Sequence, residues 1–76
     1  MLKETFDLSD KAGIAERILT PRQWDIWRMA NLRGRSAADI ATFVDCSLAT
    51  VKRERLAANK AVDAEVARIA AERASA

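Results

Sequence analysis

Apolar residues recur every three or four positions through most of this chain, with polar clusters between the runs, and this period predicts helices throughout. Ile14, Ile18 and Leu19 mark a first helix, which Ser9 is placed to cap and Gly13 weakens. Residues 1–8 read as a loose lead-in, with Phe6 and Leu8 as anchors on the domain. Thr20 opens a second helix with several signals at once. It suits the N-cap, Pro21 suits the first helical position, Gln23 completes a capping box, and Leu19 and Trp24 stand at the two staple positions. Ile26, Trp27, Met29 and Ala30 give that helix a core face, and Gly34 follows its end.

Ser36 can cap a short third helix, with Asp39 closing a second capping box and Ile40, Ala41 and Val44 forming the apolar face. Asp45-Cys46-Ser47 breaks that helix, and another begins at Leu48. Residues 56–76 contain neither Gly nor Pro, so the pattern allows one continuous helix or a break near Asn59 to Asp63. Val62, Val66 and Ile69 repeat at helical spacing, and Glu65–Arg68 and Arg68–Glu72 are placed for surface pairs. The expected architecture is all-α: a single domain over residues 1–76, of four to five helices, with its core in residues 20–60 and a C-terminal helix over about 61–76.

Composition narrows this further. Of the 76 residues half are apolar, but sixteen are Ala, which favours helix while burying little surface, so the core is expected to be thin. No apolar run approaches a membrane span and no signal peptide opens the chain, which gives the expectation of a cytoplasmic protein. Cys46 is the sole cysteine and there is no His, so neither an internal disulfide nor a Cys/His zinc site is expected, and Cys46 reads as a buried thiol. The net charge of +2 is unevenly spread: residues 22–60 hold eight basic and four acidic groups, a surplus of +4, while the segments on either side are each at −1. A concentrated basic surface is what phosphate binding requires.

The run from Asp39 to Lys52, DIATFVDCSLATVK, resembles the helix-turn-helix of LuxR-type regulators and of region four of bacterial sigma factors, E-I-A-x-x-L-G-[IV]-S-x-x-T-V-[KR]. Upstream, Leu19-Thr20-Pro21-Arg22 is similar to the L-T-P-R that opens both families' domains. The Pro21 to Ile40 interval fits the sigma region without a gap, and Lys52-Arg53-Glu54-Arg55 looks more like the LuxR helix. Two positions depart from the pattern. Asp45 replaces the turn Gly, whose left-handed conformation Asp is among the few other residues to tolerate. Arg55 falls near the inward side, with its stem free to pack and its head to turn toward Asp39, Asp45 or a phosphate.

On a helical wheel of about 100° per residue, Val51 and Ala58 point inward while Ala49, Arg53, Leu56 and Lys60 face out with Lys52 beside them. The resemblance implies that this face enters the major groove of double-stranded DNA. Lys52 and Arg53 would then reach guanine edges or phosphates, and Ala49 or Leu56 a thymine methyl, with Leu48 at the helix start. Ser47 and Thr50, together with Arg35 and Ser36, suit phosphate positioning, with Arg22 a weaker choice. Trp24 either packs on the first helix or stacks on DNA, with packing favoured. The Val62, Val66, Ile69 stripe, continued by Ala70 and Arg73, either folds back on Ile14 and Ile18 or forms a homodimer seam, with the dimer favoured.

No nucleophile and base pair can be named, and no cofactor, metal or nucleotide motif appears, so an enzyme is not expected. The leading expectation is a sequence-specific transcription regulator, a small stand-alone repressor of bacterial or phage type. The alternatives are a sigma-like adaptor that binds RNA polymerase or another regulator, and a DNA-packaging or recombination accessory module.

Overall fold

Asp7, not Ser9, opens the first helix of the computed structural model, which describes residues 7–75. Its carboxylate accepts the Asp10 N–H at 2.9 Å and the Asp10 carboxylate accepts the Asp7 N–H at 3.3 Å, so two aspartates form a reciprocal box two residues earlier than the sequence suggested. Helix α1 (Leu8–Ile18) places Ile14 and Ala15 in the core. Leu8 is half exposed rather than an anchor, and the Phe6 anchor lies outside the described residues.

Pro21 forces the residue before it to be extended, which separates α1 from α2 (Pro21–Asn31). Thr20 Oγ1 accepts the Gln23 N–H at 3.2 Å and Gln23 Oε1 accepts the Thr20 N–H at 3.4 Å, so this boundary forms as its residues dictate. After α2 the chain turns through Gly34 at φ 63, and the Arg35 N–H donates to the Met29 carbonyl at 3.0 Å. Helix α3 (Ala37–Val44) is capped by Ser36 Oγ on the Asp39 N–H at 3.1 Å. Only this forward half of the expected box is made; Asp39 does not reach back to Ser36.

Asp45 adopts φ 56, ψ 52, the left-handed conformation that ends α3, and the Cys46 N–H donates to the Ala41 carbonyl. Helix α4 (Leu48–Ser75) then runs 28 residues without a break at 59–63. At about 1.5 Å per residue it is roughly 42 Å long, which accounts for the 44 Å long axis of the protein. The C-terminal segment is therefore no separate helix, and there are four helices, all α, among the described residues.

Helix α2 sits between two apolar clusters. Trp27 joins Ile14, Ala15, Leu19, Ala58 and Val62, with Trp24, Val66 and Ile69 packed against them. Ile26 and Met29 join Ile40 and Val51, with Val44 and Cys46 at the edge. The first cluster extends the core beyond 20–60, because a thin Ala-rich helix gains buried area by laying α1 along the stem of α4. Val62 is only 1% exposed there, so α1 fills the place a second copy was expected to take against it. Ile18 takes no part; it is exposed.

Candidate nucleic-acid interface

The rotation of α4 is fixed by its inner side. Val51 and Ala58 are fully buried, and two polar tethers flank them: Gln23 Nε2 donates to Glu54 Oε1, and Asn31 Nδ2 donates to Asn59 Oδ1, both at 3.3 Å. With that side held against α2 and α3, Ala49, Arg53, Leu56 and Lys60 emerge together on the opposite face, beside Lys52. All five are exposed, Leu56 at 64%. Leu48, at the helix start, is also exposed.

Ser47 Oγ accepts the Thr50 N–H at 3.1 Å and its hydroxyl is 2.9 Å from Thr50 Oγ1. This caps α4 and leaves Thr50 half-buried, while Ser47 is open to solvent. Arg35 and Ser36 stand exposed at the start of α3, as does Arg22 at the start of α2.

The ion pairs lie elsewhere. Arg28 pairs with Asp25, Arg17 with Glu65, and Arg68 with both Glu65 and Glu72, the last two being the surface pairs the spacing suggested. Glu65 is held below the ordinary carboxylate range, first by the Arg68 hydrogen bond, partly opposed by desolvation, and then by the charges of Arg68 and Arg17. Among the described residues Lys52, Arg53, Arg55 and Lys60 have no carboxylate within ion-pair reach, so none of these four charges is neutralised by a direct ion pair.

Two expectations are corrected here and a third holds. Arg55 does not turn to Asp39 or Asp45; it is exposed and lines a notch beside Ala37, because its position lies at the edge of the α3 contact. Cys46 is partly rather than fully buried, with its thiol 3.6 Å from the Val44 carbonyl, since the turn itself lies at the surface. Trp24 packs on the core cluster and stacks on Trp27, as favoured. Val66 and Ile69 are partly covered by the same cluster, and Arg73 lies near the end of α4.

The Gln23–Glu54 and Asn31–Asn59 tethers escaped sequence reasoning. Polar residues flanking Val51 on the wheel signal a tether, but its partner depends on how α2 crosses α4. A second open cavity of about 490 Å³ lies between α2 and α3, where Arg33 and Arg35 approach the exposed Phe43 with Asp39 also in the wall. No described group of His, Cys, Asp and Glu is arranged to hold a metal ion, and no described helix is long and apolar enough to cross a membrane. No protein-family model, no curated protein and no solved structure matches this chain.

Proposed function

We propose that the chain is a DNA-binding transcription regulator in which α3, the Asp45 turn and the first half of α4 act as a helix-turn-helix, with the outward face of α4 in the major groove. The observation that carries this reading is the single exposed face of Ala49, Lys52, Arg53, Leu56 and Lys60, cationic and without ion-pair partners. A helix with its side chains is about 10–12 Å across, matching a major groove about 12 Å wide. Small Ala49 lets the backbone approach the bases, Arg53 supplies donors for guanine edges with Lys52 beside it for a guanine edge or a flanking phosphate, and Leu56 supplies an apolar contact for a thymine methyl. Arg35, Ser36 and Ser47 flank that face at helix starts, where N–H groups suit phosphates.

A repressor fits the resemblance of the Asp39–Lys52 run to the helix-turn-helix of known regulators. The test is a gel shift of the full chain against DNA flanking its own gene and against a random duplex pool. A selected sequence bound at least a thousandfold better than bulk duplex, a ratio on the order of specific regulators, is the expected result. Failure to bind any duplex at low salt rejects the reading and leaves a protein-binding adaptor as the better one.

A further inference from the structure

Between the start of α3 and the stem of α4 lies a notch of about 370 Å³, lined by Ala37, Lys52, Arg55, Leu56 and Asn59. No carboxylate lines it, and neither cation has an ion-pair partner among the described residues. The hydrogen-bond network fixes the third polar group. Asn31 Nδ2 donates to the Trp27 carbonyl at 3.0 Å, which sets the Asn31 amide; its other hydrogen then meets Asn59 at 3.3 Å, so Asn59 must present Oδ1 there. The Asn59 Nδ2 makes no hydrogen bond among the described residues, and Asn59 lines the notch. Ala37 opens α3 at the same rim; the Asp39 and Ile40 N–H groups are already taken by the Ser36 side chain and carbonyl, which leaves those of Ala37 and Ala38 at this helix start. Arginine, lysine and amide thus line one notch with no carboxylate in its wall, the Asp39 carboxylate of the same helix start lining the cavity between α2 and α3 instead.

We propose that this notch seats a phosphodiester group of the DNA backbone, bound by Lys52, Arg55 and Asn59, with Asn31 as the positioning residue that orients Asn59. The inference rests on the DNA-binding reading above and adds to it a second, sequence-independent anchor. Lys52 and Leu56 belong both to the notch and to the edge of the outward face of α4, so a major groove receiving that face brings its flanking strand to the notch. Its bound oxygens take donors from the notch, while the bases are left to Arg53.

The experiment measures affinity of the full chain for a mixed-sequence 20-base-pair duplex across a salt series, with thermal unfolding of every variant. Arg55→Gln should weaken binding to every sequence alike and reduce the slope of log K against log salt by about 1. Arg17→Gln, the same charge loss on α1, should leave both unchanged. Asn59→Asp is the sharper variant, since it keeps the Oδ1 that Asn31 uses and replaces only the donor by an anion; it should lower affinity at least tenfold at an unaltered melting temperature. Asn31→Ala should weaken binding without changing the salt slope. If Arg55→Gln and Asn59→Asp bind as tightly as the parent while Arg53→Ala loses affinity, the notch is overturned and the DNA-binding reading stands. If the parent binds no duplex, titration with inorganic phosphate decides: amide shifts at Ala37 and Ala38 that vanish in Asn59→Asp uphold a phosphate seat for a free ligand, and their absence overturns it.

Discussion

Trp24 and Trp27 stack on one side of α2, their ring centroids 6.0 Å apart and their planes inclined by only 16°. The pair divides its work. Trp27 is buried between α1 and α4, whereas Trp24 covers it from the half-exposed edge. Trp27→Ala is therefore expected to cost about 3–5 kcal/mol, enough to unfold a small domain, while Trp24→Ala should cost clearly less and leave a folded chain. Urea unfolding followed by circular dichroism measures both; equal losses would mean that Trp24 is as much a core residue as Trp27.

The turn before α4 makes a different demand. Asp45 is the one non-glycine residue among those described with a positive φ, at 56°. An L-residue with a branched side chain is strained there, so Asp45→Val should destabilise by about 1–3 kcal/mol. Asp45→Gly removes the Cβ conflict but adds unfolded-state entropy, and should stay within about 1 kcal/mol of the parent. Midpoints of denaturant unfolding decide; a Val variant as stable as the parent would show that the turn relaxes into another conformation.

Cys46 lies at the edge of the α3–α4 cluster and is only partly covered. Cys46→Val should keep stability within about 1 kcal/mol, and Cys46→Asp should lower it by placing a charge against Ile40 and Val51. Thiol labelling should proceed in the native state at a rate between those of a free thiol and a core thiol. Complete protection until denaturant is added would place the side chain deeper than the structure does.

Glu65 ties α1 to α4 through Arg17 and braces α4 through Arg68. Its folded pKa lies below the ordinary carboxylate value, chiefly because of the Arg68 hydrogen bond. A depressed folded pKa contributes stability that is present above the unfolded value, about 4.3, and is lost as pH falls through the folded value. The melting-temperature difference between the parent and Glu65→Gln should therefore shrink on acidification from about pH 6 to about pH 3. A difference independent of pH would mean that the carboxylate charge contributes nothing.

Much of this arrangement was legible because its signals are local. Thr20, Pro21 and Gln23 specify their boundary within four residues, and Ile40, Val44 and Val51 mark inward faces by period alone. The start of α1 was misread because Asp7 and Asp10 form a capping box from a less usual pair of side chains, leaving Ser9 unused as a cap. The tertiary relationships were not legible. Whether Arg55 would find Asp39, and which residue would meet Asn59, depends on crossing angles among helices that no single-helix period contains. The outward face of α4 follows from the wheel, but the lack of ion-pair partners around it could be read only once all four helices were in place.

The apolar stripe of α4 gives the last test, because sequence alone favoured a seam for a second copy over a seat for α1. Val62 is buried against Ile14, Ala15 and Leu19, and Val66 and Ile69 pack on the same cluster. Val62→Ala should therefore cost about 2 kcal/mol, from the lost methyl groups and the cavity left behind. Val66→Glu, at the partly covered edge, should lower the melting temperature while leaving the sedimentation mass equal to that of the parent at the same concentration. The two outcomes separate because a glutamate in an interface between copies would dissociate them and preserve the folded subunit, whereas a glutamate between α1 and α4 weakens the subunit itself. A parent dimer that Val66→Glu splits into stable monomers would show that this edge of the stripe serves association, with α1 covering only its Val62 end.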